Sequence, residues 1–199
     1  TVGLAKFMQG LKDGGPTPSG HLTPTVIATL PSNCISREEV LYNAWQTRHV
    51  LGTGAHGCLH THARDPEAVK AFVATARYPF QTLARDVIPE GLRGGGGQAV
   101  PAVIWGLEPA EYVKIADPWP LNPEGELLLG LKIEDKYCLL TADETAAVPG
   151  IGFAEWYGDA ILPDKIELER EILVRFVTSF ASNETGVAAV TLAGGVLSR

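Results

Sequence analysis

Nowhere does this chain stay apolar for the roughly 18 residues a bilayer crossing needs, and no basic segment near its start leads into an apolar one. The expectation is therefore a cytoplasmic chain with neither a membrane span nor a secretory leader. Basic residues are the minority, 16 Lys and Arg against 23 Asp and Glu for a net charge of −7, and they gather on no single stretch. That balance argues against nucleic acid or an anionic membrane as partner. Cysteine is scarce, with 3 residues far apart at positions 34, 58 and 138 and no Cys-x-x-Cys or zinc spacing among them. Reduced thiols fit this pattern better than a disulfide framework. The four glycines at 94–97 lack the Lys-Ser/Thr that would make them a phosphate loop.

What is present suits an ordinary globular core: 199 residues, 45% hydrophobic and 20% charged. One domain over residues 1–199 is the expectation. Residues 1–12 read as a helix, because Leu4, Phe7, Met8 and Leu11 recur at three- and four-residue intervals. A β-branched strand over 25–30 ends at Pro31-Ser32-Asn33. Ser36 and Glu39 then form a capping box ahead of a helix carrying Val40, Leu41, Ala44 and Trp45 on its apolar stripe. A strand at 57–61 leads to Asp65-Pro66, an N-cap with proline at the first helical position. The helix after it buries Val69, Phe72, Val73 and Ala76. Residues 80–107 read as loop-rich with a strand near 100, 109–116 as a short helix, and 117–123 as rigid extended loop. Residues 165–180 read as an amphipathic helix and 186–192 as a last strand.

The organising stretch is 126–159, a strand-helix-strand unit. An apolar run at 127–133 stops at Glu134 and Asp135; a short amphipathic segment follows, then Pro149-Gly150, then a strand at 151–156 that ends at Gly158-Asp159. If these strands are parallel neighbours, their C-terminal ends lie about 4.8 Å apart and Glu134 and Asp159 share one rim. Two carboxylates so placed either repel less by holding a hard divalent cation between them, or each simply ends a strand and faces water. His56, His60 and His62 sit at alternate positions around one strand, a pattern open to metal binding, proton transfer or plain packing.

These residues carry a resemblance. The order Ile133-Glu134, helix, Ala147-Val148-Pro149-Gly150-Ile151, strand, Phe153-Ala154-Glu155-Trp156, Gly158-Asp159 resembles the HpcH/HpaI aldolases, metal-dependent enzymes acting on pyruvate enolates. The match extends back through Gly54-Ala55-His56-Gly57, Asp65-Pro66-Glu67-Ala68, Ala76-Arg77-Tyr78-Pro79 and Gly91-Leu92-Arg93-Gly94, and it is strongest over residues 50–160. The resemblance implies an α/β fold of the (β/α)8 TIM-barrel type. At 199 residues, with about six strand-like stretches, the barrel is short or incomplete. It implies Glu134 and Asp159 as ligands of Mg2+ or Mn2+; Lys132, where the family has Gln, Gly158, Arg93 and His62 are the candidate substrate contacts. Its reaction would be a carbon–carbon lyase step on a 2-oxo or hydroxy-oxo acid, in a homo-oligomer. Two family signatures are missing. Ala28-Thr29-Leu30-Pro31-Ser32 stands where the family has Asp-x-Glu-His, and no Arg-Val-Pro strand follows Trp45. A homo-oligomeric structural or ligand-binding subunit is therefore the alternative. A Schiff-base aldolase using Lys132 is a third reading.

Overall fold

The computed structural model describes residues 2–156 and the short stretches 190–192 and 195–196. Its chain order opens with α1 (Val2–Asp13), β1 (Ile27–Asn33), α2 (Arg37–Tyr42), α3 (Ala44–Leu51), β2 (Gly57–Thr61) and α4 (Pro66–Ala76). Next come α5 (Ala99–Trp105), α6 (Pro109–Ile115), the two-residue β3 (Pro118–Trp119), β4 (Leu127–Ile133), α7 (Lys136–Leu140), α8 (Ala142–Ala146) and β5 (Phe153–Trp156). Two short strands, β6 (Val190–Leu192) and β7 (Gly195–Val196), complete the described elements.

The strands form one sheet in the order β1-β2-β4-β5-β6-β7, with β3 added alongside β4. All pairings are parallel except the β6–β7 pair. Strands connected through helices and lying next to one another in chain order are the growth pattern of a β/α barrel. The chain thus has an α/β fold with a barrel-like parallel sheet. Alternation along β4 explains how the sheet divides its faces. Leu127, Leu129, Leu131 and Ile133 are fully buried, whereas Leu128 and Lys132, on the other face, are only partly so. The first set meets the helical layer, centred on α4, which buries eight residues including Phe72 and Val73. On the second face, Gly130 leaves room for Phe153: a Cβ there would come within 2.2 Å of that ring.

Local signals set several boundaries. Asp65 accepts from the Glu67 amide at 2.9 Å and Pro66 opens α4, as the sequence implies. Strand β1 runs through Pro31 to Asn33 instead of stopping before them. It lies at an edge of the described sheet, where a missing amide is tolerated, and its register shifts between Thr29 and Asn33. The capping box is half formed: Ser36 Oγ accepts from the Glu39 amide, but the Glu39 carboxylate reaches the Asn33 amide instead. Asn43 divides the expected single helix into α2 and α3, which leaves Trp45 exposed. β1 pairs directly with β2, so no strand intervenes after Trp45. The strand expected near 100 is helix α5. The helix expected over 165–180 lies outside the described residues.

A candidate catalytic rim

Parallel strands bring their C-terminal ends to one edge, and here that edge collects charge. Lys132 and Glu155 are paired positions on β4 and β5, so their side chains leave the same face of the sheet. Glu134 follows one residue after β4. The Lys132 ammonium stands 3.5 Å from Glu134 Oε1 and 3.8 Å from Glu155 Oε2. Glu134 is one-fifth exposed and Lys132 less so, which places all of this in a partly desolvated setting where charge pairing is strengthened.

A second cluster adjoins it. Asp135 caps α7, its Oδ1 accepting from the Tyr137 and Cys138 amides at 2.8 and 2.9 Å. Its Oδ2 accepts from Arg64 Nη2 at 2.7 Å, Arg64 Nε at 3.1 Å and His62 Nδ1 at 3.1 Å. Partial burial would raise this carboxyl, but the Cys138 amide and the Arg64 guanidinium outweigh it and hold it at about 2. A carboxylate can only accept, so the shared proton lies on His62 Nδ1. His62 Nδ1 is also 4.0 Å from Glu134 Oε2, which joins the two clusters.

His62, Asp135 and Cys138 place one ligand atom each within 4.8 Å of one another, a spacing that could hold a metal ion. The chemistry of the donors fits poorly. Both Asp135 oxygens are already engaged, Arg64 supplies the neighbouring positive charge, and burial pushes the Cys138 thiol up to about 11. A metal there would have to displace Arg64. Glu134 and Glu155, by contrast, are hard oxygen donors converging on one cation, the donor class that Mg2+ and Mn2+ take.

Several sequence expectations change. The three histidines do not cluster. His56 stacks on Trp105 at the N-terminal end of β2, and His60 packs edge-on against Phe72 in the helical layer. His62 reaches the rim because its φ of 51° breaks the strand alternation. Arg93 does not reach over the barrel mouth. It is buried, its guanidinium lying over the Tyr78 and Tyr112 rings at 4.7 and 5.4 Å and donating to the Tyr112 hydroxyl. The chain runs flush against α4 there: the Leu92 amide donates to Ala74 and the Arg93 amide to Arg77. Gly91, where a Cβ would meet Tyr78 O at 2.4 Å, was the readable signal for that contact. Gly158 and Asp159 lie outside the described residues. Glu155 was missed as a site residue, although the alternation in Phe153-Ala154-Glu155-Trp156 puts it on the face of Lys132.

Comparison with solved structures decides the fold. An HpcH/HpaI aldolase/citrate lyase family protein from Burkholderia cenocepacia J2315 superposes with a TM-score of 0.58 at 17% identity, over 83% of this chain and 57% of that one. The chain has the fold of the HpcH/HpaI aldolases. A second such aldolase, from Desulfitobacterium hafniense DCB-2, matches with a TM-score of 0.57 at 19% identity, over 85% of this chain and 57% of that one. The citrate synthase SbnG matches with a TM-score of 0.51 at 14% identity, over 94% of this chain and 72% of that one. The chain therefore spans 57% of the length of each of the two aldolase structures. No family model matches the sequence, and no curated protein matches it either. No helix among the described residues is long and apolar enough to cross a membrane.

Proposed function

We propose that this chain carries the lyase chemistry of an HpcH/HpaI aldolase, making or breaking a carbon–carbon bond through the enolate of a 2-oxo or hydroxy-oxo acid. The observation that carries the reading is the convergence of Glu134, Glu155 and Lys132 at the C-terminal edge of a sheet with that fold. In β/α barrels, active sites are built at that edge. Glu134, with Asp159 proposed on sequence grounds, would hold a divalent ion, Mg2+ or Mn2+. That ion would supply Lewis-acid charge to offset the negative charge of an enolate.

The chain's own residues have distinct tasks. Lys132 offers an ammonium to the carboxylate of a 2-oxo acid, and Glu134 and Glu155 hold it at the rim. His62, held through Nδ1 by Asp135, stands beside Glu134 as a further polar contact for substrate. The proposal includes a homo-oligomer working in the cytoplasm.

A second reading, a ligand-binding subunit without lyase activity, is favoured by Lys132 itself. Its ammonium already neutralises the two rim carboxylates, and residues 28–32 offer neither imidazole nor carboxylate. Exchange of the pyruvate methyl protons for deuterium, followed by proton NMR with Mn2+ or Mg2+ present, separates the readings. Exchange that needs the metal and disappears in Glu134→Gln supports the lyase. Pyruvate that binds without exchanging sinks it in favour of the subunit.

A further inference from the structure

At the opposite end of the sheet, the segments leading into β1, β2 and β4 line a half-open cavity of about 610 Å³. Its walls include His21, Thr23, His56, Trp105, Trp119 and Glu126. Leu128, which also lines it, stands six residues before Glu134, or roughly 20 Å along a strand. The cavity and the rim are thus separate places, and the chemistry of the cavity is independent of the lyase reading.

The aromatic wall is held in place. The His56 ring stacks on Trp105 with centroids 4.9 Å apart and planes 10° from parallel. His56 Nδ1 accepts from the Val26 amide at 3.2 Å, which leaves Nε2–H to point to Thr23 Oγ1 at 3.5 Å. Trp105 Nε1–H donates to Gly54 O at 2.8 Å. The indole N–H is therefore spent within the protein, one indole face lies against His56 and Tyr112 packs at 79° to the ring, so Trp105 contributes to the wall what those contacts leave uncovered. Burial, with His21 nearby, depresses His56 to about 4, so this ring adds no positive charge to the cavity at neutral pH. Among the described residues no lysine or arginine lines the cavity, and Glu126 is its only carboxylate. The Glu126 amide is fixed on Ile115 O at 2.8 Å, and its carboxylate makes no ion pair with another described residue.

Tryptophan surface together with one carboxylate and no opposing ammonium or guanidinium is the chemistry that selects organic cations. The ring quadrupole attracts a poorly hydrated ammonium, and the carboxylate offsets its charge. A volume of about 610 Å³ falls within the range of small-molecule sites. We propose that this cavity binds a small organic ammonium ion, with Trp105 and Trp119 against its alkyl groups and Glu126 against its charge.

The test is calorimetric titration of the full chain with choline and with its uncharged carbon isostere, 3,3-dimethylbutan-1-ol. Glu126→Gln and Trp119→Phe are titrated in parallel. Glu126 is exposed, so its conversion to Gln leaves the fold intact, as circular dichroism would check. Choline should bind, the isostere should bind at least about tenfold more weakly, and each variant should weaken choline by about tenfold. The proposal is overturned if choline gives no saturable binding, if the isostere binds as well as choline, or if Glu126→Gln leaves choline affinity unchanged.

Discussion

Acid should destabilise this protein well above the carboxylate range, because two histidines, His60 buried and His56 half-buried, fold in the neutral form. His60 is 2% exposed, packs against Phe72, and has an Nδ1 with no hydrogen-bond partner in its surroundings. A proton added there would bury an unpaired charge. His56 accepts the Val26 amide on Nδ1, so protonation would replace a hydrogen bond with a clash of two donors. Burial lowers both rings from an ordinary 6.5 to about 4. As pH falls below 6.5 the unfolded chain takes up these protons and the folded chain does not; stability is full above 6.5 and is lost progressively down to about 4. Between pH 7 and pH 5 His60 removes about 2 kcal/mol by this linkage, and the half-buried His56, screened by solvent, removes less. Together that is a large part of an ordinary domain's 5–15 kcal/mol. Urea unfolding at half-unit steps from pH 7.5 to 4.5 measures it, and His60→Gln should flatten the slope by about half. A stability that stays level across that interval would refute the reasoning.

Three further outcomes rest on particular contacts. Arg77 and Asp117 form a bidentate pair at 2.7 and 3.1 Å, and both are about 1% exposed. Asp117→Asn should therefore lower unfolding stability by about 3–5 kcal/mol in urea, while replacing both partners with apolar residues recovers much of it. Gly130→Ala puts a methyl against the Phe153 ring and should cost about 1–3 kcal/mol, read as a lower denaturation midpoint. Lys132→Met removes the cation beside Glu134 and Glu155 and should tighten Mn2+ binding about tenfold or more while weakening oxalate, both by calorimetry.

The parts of the fold legible in the sequence are those specified by neighbours along the chain. Asp65-Pro66 started α4, the apolar run over 127–133 became β4, and the short helix expected over 109–116 became α6. Where tertiary contact overrode local signal, the sequence misled. Pro31 marks a stop in isolation, yet an edge position lets β1 continue through it. Arg93, just before the glycines at 94–97, was expected as a substrate contact. Two tyrosines distant in sequence, Tyr78 and Tyr112, hold it inside instead. The rim was half readable. Glu134 follows from the strand end, whereas the tie between Arg64 and Asp135 spans 71 residues and leaves no local pattern. His62 reaches the rim through a left-handed residue that alternation cannot foresee.

The central claim is that Glu134 belongs to a site where a divalent ion and a 2-oxo acid meet. Titration of Mn2+ into metal-free protein, with and without oxalate, for wild type and Glu134→Ala, tests it most directly. Wild-type protein should bind Mn2+, more tightly with oxalate present, and Glu134→Ala should abolish that binding. Wild-type protein that takes up no Mn2+, with oxalate present or absent, would contradict it.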